Sequence, residues 1–212
     1  MSAAGPPQGA HPPSGGSAAA EAASLGALGR WTISKLQDAG PIPWRNGGGV
    51  TRELLAWPDA QDWHVRMSVA DVEQNGPFSR FDGVRRWFSV LDGAGVRLRL
   101  GGATHDLTRS SAPFAFDGGV ACDCELIAGP TRDFNLMLRG TMGRMLRLDG
   151  QHFFRCGRGD LIAVYSGVGA AFVSCGGDRI ELDPGTLAWR ILEADGAVHL
   201  EAPGALWMEI TP

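Results

Sequence analysis

The sequence lacks any apolar run approaching the roughly 20 residues with which a helix crosses a bilayer. Its start also lacks the basic stretch and following apolar segment of a secretory signal. No membrane partner is expected, and a cytoplasmic location is. Positive charge is not in excess, since 19 Lys and Arg stand against 23 Asp and Glu for a formal net charge of −4. Proteins that bind the phosphate backbone usually carry a basic stripe that displaces counterions, so no nucleic-acid partner is expected either. Cysteine is scarce: Cys122, Cys124, Cys156 and Cys175 are too few and too scattered for a disulfide framework in 212 residues. Cys122 and Cys124, two apart on one strand, would hold their Cα atoms about 6.6 Å apart, near the limit for a bridge. All four are expected to be reduced, buried, small residues.

Several chemical signatures are missing as well. There is no G-x-S-x-G nucleophile elbow, and no cysteine has a partner histidine nearby in sequence. The segment Trp44-Arg45-Asn46-Gly47-Gly48-Gly49 is glycine-rich but lacks the Gly-Lys-Ser/Thr of a phosphate loop. His11, His64, His105, His152 and His199 lie at least 41 residues apart, and none has a second histidine at i+2 or i+4. No metal and no other cofactor are therefore expected.

What is present is β-structure. Residues 1–29 are Ala, Gly, Pro and Ser with little charge, and are expected to form a disordered leader with at most a short helix around Ala18 to Leu28. From Trp31 onward, short runs of β-branched, aromatic and aliphatic residues are broken every eight to twelve residues by Gly, Pro, Asn or Asp. That spacing is the mark of a sandwich or barrel. The strands expected are Thr51–Trp57, Trp63–Ala70, Arg86–Leu91, Val96–Leu100, Phe134–Leu138, Leu161–Tyr165, Ala171–Ser174, Leu187–Leu192 and Leu206–Ile210. No long stretch carries a 3.6-residue apolar period, so helices are expected to be few and short.

An internal repeat sharpens the reading. Ser89-Val90-Leu91-Asp92-Gly93-Ala94-Gly95-Val96, then Gly101-Gly102 and Thr104-His105-Asp106-Leu107, is echoed by Ala163-Val164-Tyr165-Ser166-Gly167-Val168-Gly169-Ala170, then Gly176-Gly177 and Asp178-Arg179-Ile180-Glu181-Leu182. Gly93 matches Gly167 and Leu107 matches Leu182, at offsets of 74 and 75 residues. Strand, G-x-G hairpin, strand, Gly-Gly turn and short strand is how a cupin chain reads, and two copies imply two barrels. The expected fold is all-β: a bicupin of two packed double-stranded β-helix (jelly-roll) barrels. Residues 30–140 are assigned to the first barrel and 141–212 to the second, with strands exchanged between them.

Further blocks run in order through the first half. They are Pro43-Trp44-Arg45-Asn46-Gly47-Gly48-Gly49-Val50-Thr51-Arg52-Glu53, Val65 to Ala70, Gly76-Pro77-Phe78-Ser79-Arg80-Phe81, Arg85-Arg86, Leu91-x-Gly93, and Gly129-Pro130-Thr131-Arg132-Asp133-Phe134-Asn135-Leu136-Met137. Together they resemble the HutD/Ves family over about residues 31 to 212. The resemblance implies a bicupin, and for its HutD branch an association with histidine utilisation as a governor of that pathway, without a firmly assigned catalytic activity.

The candidate site is made of arginine, amide and hydroxyl groups. Alternation along His64 to Val69 puts Val65, Met67 and Val69 on one face and His64, Arg66 and Ser68 on the other, which meets solvent or a barrel mouth. Asp133, Asn135 and Met137 likewise share one face of the next strand. A guanidinium grips a carboxylate through charge-assisted bonds, and an amide pairs with a formamide or imidazole nitrogen. The ligand-binding candidates are Trp44, Arg45, Asn46, Arg66, Ser68, Arg86, Arg132, Asp133 and Asn135, with no catalytic residue assigned. Equally simple structural roles exist: Arg66 and Arg86 as rim ion pairs, Arg132-Asp133 as an internal pair.

Three functions fit these residues. The first is metal-independent binding of a small anionic ligand linked to histidine utilisation, such as urocanate, N-formylglutamate or formiminoglutamate, in a regulatory role. The second is a metal-free isomerase or hydrolase acting on such a molecule. The third is a protein-interaction module built on exposed members of Trp31, Trp44, Trp57, Trp63, Trp87, Trp189 and Trp207. The expected assembly is a monomer or a homodimer.

Overall fold

The computed structural model describes residues 29–212, so the leader and the short helix expected within it lie outside the described residues. In chain order the strands of the first half are β1 (Thr32–Lys35), β2 (Ile42–Pro43), β3 (Gly49–Trp57), β4 (Val65–Val72), β5 (Gly76–Pro77), β6 (Val84–Asp92), β7 (Val96–Leu100), β8 (Ala103–Leu107), β9 (Phe114–Asp117), β10 (Cys122–Leu126) and β11 (Thr131–Arg139). The second half adds β12 (Met142–Cys156), β13 (Leu161–Ser166), β14 (Ala171–Cys175), β15 (Asp178–Leu182), β16 (Thr186–Ile191) and β17 (Gly196–Thr211). One 3-10 turn, Leu36–Asp38, is the only helical element among the described residues. None of these elements is a helix long and apolar enough to cross a membrane.

The strands form three antiparallel sheets. One runs β2-β3-β4-β11-β6-β9, a second β5-β10-β7-β8, and the third contains β1, β16, β13, β17, β14, β15 and β12. The first two sheets face each other across Ala70, Val72, Phe88, Val90, Val96, Leu98, Phe116, Cys122 and Cys124 and make the N-terminal barrel. The third curls around Leu148, Ile162, Val164, Val173, Leu200 and Trp207 and makes the C-terminal one. β1 pairs with β16, so residues 32–35 sit in the C-terminal sheet although they precede the N-terminal barrel in the chain.

Period-2 alternation explains how the barrels join. On β4 and β11 the residues not used inside the N-terminal barrel, Val65, Met67, Val69, Phe134, Leu136 and Leu138, are all buried against Leu161, Ala163, Tyr165, Leu187, Trp189, Leu206 and Met208 of the other sheet. These central strands are apolar on both faces except where a polar side chain enters the N-terminal barrel and at one end of the outer face, where Arg132 pairs with Asp71. The sequence repeat is reproduced strand for strand: β7 with β8 and β14 with β15 are equivalent hairpins. At the N-terminal G-x-G turn, Gly93 has φ +88°, and a Cβ there would stand 2.5 Å from the Pro130 carbonyl oxygen. Glycine is required on both counts.

Each strand expected from the sequence is present within a few residues. The long ribbon of β12 against β17, in register from Met142↔Thr211 to Cys156↔Gly196, was not expected as a whole. Gly143 and Gly150 interrupt its apolar alternation, and a register shift at Leu148/Asp149 resets the faces midway.

Candidate functional site

The inner face of the β3-β4-β11-β6 sheet is a lattice of three rows. Ala70, Asp133 and Val90 form one, Ser68, Asn135 and Phe88 the next, and Arg66, Met137 and Arg86 the third. In the first row Val90 packs against the opposite sheet, while Ala70 also borders the open space beside it. The other two floor a cavity of about 700 Å³, walled by Trp44, Arg45, Asn46, Thr51, Phe78 and Phe81. Among the described residues that line it none is Asp, Glu, His or Cys.

Arg86 is the central group. It is 5% exposed, and its Nη2 donates to Asn135 Oδ1 at 2.8 Å. Its guanidinium carbon lies 5.2 Å from the ring centre of Phe78, 5.8 Å from that of Phe81 and 5.0 Å from that of Phe116. Aromatic faces attract a cation but do not neutralise it. Among the described residues no salt bridge engages Arg86, and its Nε is buried without a partner. Burial pulls its pKa down to about 10, and the like charge of Arg66 adds to the effect; it remains a cation at neutral pH.

Arg66 differs: its Nε donates to Glu53 Oε2 at 2.6 Å, so the ion-pair role foreseen for both arginines holds for this one alone. The remaining donors of its guanidinium fork stay available toward the cavity it lines. Ser68 and Asn135 are 4% and 6% exposed. Trp44 donates from Nε1 to Thr51 Oγ1 at 2.7 Å and meets Phe78 edge to face. Asn46 Oδ1 accepts from the Gly48 amide at 3.1 Å, which folds the glycine-rich loop beside the cavity mouth, where Arg45 is exposed. A Cβ at Gly49 would lie 2.3 Å from the Asp71 carbonyl oxygen, so the third glycine serves the approach of β3 to β4.

Seven of the nine residues singled out in the sequence therefore meet in one cavity: Trp44, Arg45, Asn46, Arg66, Ser68, Arg86 and Asn135. Two do not. Arg132 stands on the opposite face of β11 from Asn135, bonded from Nε to Asp71 Oδ1 at 2.6 Å, because residues an odd number apart on a strand face opposite ways. Asp133 shares the inner face but lies fully buried one row deeper, accepting from Thr131 Oγ1 at 3.0 Å. The two are thus not an internal pair. Phe78, Phe81 and Phe116 were missed as site residues. Phe78 and Phe81 lie in a loop with no periodicity, and their only signal was the Gly76 to Phe81 block.

The described histidines do not converge. His64 is exposed against the Arg139 carbonyl oxygen, His105 packs on Phe114, and His199 stacks on Phe153 with its Nε2 buried. Cys156, Asp160 and Glu209 bring ligand-type atoms within 4.8 Å of one another. Asp160 Oδ2 already accepts the Gly157 amide at 2.6 Å, and Glu209 Oε2 accepts two bonds from Arg144. Their geometry fits turn and ion-pair roles.

Two packed antiparallel barrels, the N-terminal one opening on a cavity, define a protein of the cupin class. Oxalate decarboxylase from Lactobacillus farciminis superposes with a TM-score of 0.59 over 84% of this chain and 85% of that one, at 8% identity, a likeness of fold alone. HutD from Pseudomonas fluorescens SBW25 is far more similar, with a TM-score of 0.76 and 28% identity over 86% of this chain and 98% of that one. The chain belongs to the HutD family, whose model matches residues 36–208. Protein Ves of Cronobacter sakazakii is 34% identical over 166 residues, 73% of this chain and 88% of that protein. An uncharacterized 21.2 kDa protein in the hutC 3′ region of Pseudomonas putida is 39% identical over 109 residues. That alignment covers 50% of this chain and 56% of the relative, so the chain spans little more than half the length of that protein.

Proposed function

We propose that the protein binds a small carboxylate in the hollow N-terminal barrel, without a metal, and that it serves histidine utilisation in a regulatory role. The observation that carries the reading is Arg86: a buried cation, held by one amide and three aromatic rings, with no carboxylate among the described residues paired to it. Burying an uncompensated charge is costly, and an anion entering the cavity would relieve that cost with a charge-assisted bond. Arg66 adds a second cationic edge, while Ser68 and Asn135 offer a hydroxyl and an amide beside it. About 700 Å³ admits a molecule of a dozen heavy atoms or so together with several waters. The lining holds none of the usual general bases among its described residues, which favours holding a ligand over turning it over.

Urocanate, N-formylglutamate and formiminoglutamate combine a carboxylate with an imidazole, formamide or formimino nitrogen, the pairing this floor suits. The link to histidine utilisation rests on family membership and on the hutC 3′ region named for the P. putida relative. Calorimetric titration of the three compounds, with EDTA present, tests the reading. One should bind saturably at one site per chain and lose at least about tenfold in affinity in Arg86→Met. No heat with any of them, or binding indifferent to Arg86→Met, overturns it.

A further inference from the structure

A second cavity, of about 880 Å³, opens between the barrels. Equivalent segments of the two repeats frame it: Leu91, Asp92, Gly93 and Ala94 from one, Tyr165, Gly167 and Val168 from the other, with Arg109 and Ser110 opposite Pro184 and Gly185. The repeat thus relates much of its frame, but not its charge. Arg109, Arg132 and Arg147 line it, against Asp92 as the one carboxylate among the described lining residues.

We propose that this inter-barrel cleft is a second anion-binding site, taking a doubly charged oxyanion of the phosphate or dicarboxylate type.

Arg147 carries the argument. It reaches from β12 across to the other barrel, where its Nη2 donates to Ser89 Oγ and the Val90 carbonyl oxygen, both at 2.6 Å. Both acceptors are neutral, and among the described residues no salt bridge engages it. Its Nε is buried without a partner. Burial lowers its pKa, and the like charge of Arg109 lowers it further, so two guanidiniums repel each other across the cleft. Neighbouring charges compensate this weakly. Arg109 is 3.8 Å from Asp92, both side chains being more than half exposed, a pair worth little in water. Asp71, which Arg132 touches, is shared with Arg52. Tyr165 lies at the floor as a neutral hydroxyl, its pKa pushed up to about 12 by burial. An oxyanion between Arg109 and Arg147 would turn that repulsion into two charge-assisted attractions.

The site is independent of the hollow barrel, and the chain supplies its own reporter. Tyr165 is the only tyrosine in the sequence, so incorporation of 3-fluorotyrosine gives a single 19F resonance at the cleft floor. Inorganic phosphate and glutarate should be titrated separately at constant ionic strength into the full-length protein. The expected result is a saturable shift of that resonance with at least one of them, the tighter of the two naming the ligand type. Arg109→Ala, at an exposed position and so safe for folding, should weaken it about tenfold or more. Arg147→Gln should do the same. Arg86→Met should leave it unchanged, which separates this site from the one in the barrel. A linear drift without saturation to about 50 mM, a range that would still reveal millimolar binding, overturns the proposal. So does equal affinity in Arg109→Ala, or loss of the shift in Arg86→Met.

Discussion

Arg86 Nη2 and Asn135 Oδ1 meet at 2.8 Å on adjacent strands inside the N-terminal barrel, and among the described residues this neutral amide is the only hydrogen-bond acceptor that the guanidinium has. The bond fixes the orientation of both groups. Asn135 turns its oxygen to Arg86, which leaves its amide nitrogen as a donor, so the pair presents mainly donors. Donors held in a partly dry cavity select an acceptor, and among small metabolites the strongest acceptors are oxyanions such as carboxylates.

The same relationship makes a stability prediction of unusual sign. Replacing a buried charge that lacks a counter-charge by an apolar residue of similar length removes a desolvation cost without breaking an ion pair. Arg86→Met should therefore fold with a urea midpoint equal to or above that of the parent, while losing carboxylate affinity. Chemical denaturation and calorimetry on the same preparation check both halves. A midpoint lowered by the equivalent of about 3 kcal/mol, the cost of breaking a buried pair, would mean that Arg86 has a structural counter-charge.

Gly49 should tolerate no side chain. A Cβ there would stand 2.3 Å from the Asp71 carbonyl oxygen, which is backbone of the paired strand and cannot swing away. Gly49→Ala is expected to cost at least about 2 kcal/mol through displacement of β3 from β4. Gly47→Ala is the control for the loop's other role: it meets no atom within 4 Å, but its φ of +70° strains an L side chain, which costs about 1 kcal/mol. Equal denaturation midpoints for the two variants would contradict the assignment of close packing to Gly49.

Much of this was legible in the chain. Alternation alone placed Arg66 with Ser68, and Asn135 with Met137, on faces that turn out to be the same barrel floor. The repeat offsets of 74 and 75 residues gave two equivalent hairpins. What alternation could not tell was which face is inside, because the outer face of β4 and β11 is buried too, against the second barrel. Nor could it pair Arg66 with Glu53 or leave Arg86 without a carboxylate, since both depend on which strands become neighbours. Grouping Arg132 with Asn135 ignored the alternation that was there to be used. The interaction reading built on tryptophans loses its footing, because none of the seven is exposed: Trp63, Trp189 and Trp207 are core, and the rest are half-buried.

The four cysteines should be inert in the folded protein. All are free and buried, and burial pushes the thiols of Cys124 and Cys156 up to about 12 and those of Cys122 and Cys175 upward. The thiolate is the reactive form, so a thiol-specific disulfide reagent at pH 8 should react at least about a hundredfold more slowly with native than with urea-unfolded protein. Four equivalents should be consumed after unfolding. Rapid titration of one thiol in the native state would reveal a barrel interior more accessible than its packing implies.

Asp133 predicts how stability varies with pH. Its carboxyl is fully buried, one oxygen accepts only the Thr131 hydroxyl, and the other has no partner. Burial pushes its pKa from 3.8 to about 8, with the nearby charge of Asp71 adding to the rise. The native state thus holds a proton that the unfolded chain releases above pH 4. Below that point both states are protonated and the group imposes no penalty. Between about pH 4 and 8 the unfolded state is increasingly favoured by releasing its proton, so stability falls as pH rises, and above pH 8 the loss is complete. Asp133→Asn keeps the shape and the hydrogen bonding of the protonated form but cannot titrate. Urea midpoints of the two proteins should nearly coincide at pH 4, diverge steadily through pH 6 and 7, and at pH 8.5 favour the asparagine variant. Curves that run parallel across that range would mean that Asp133 is ionised in the native barrel and compensated there by a cation.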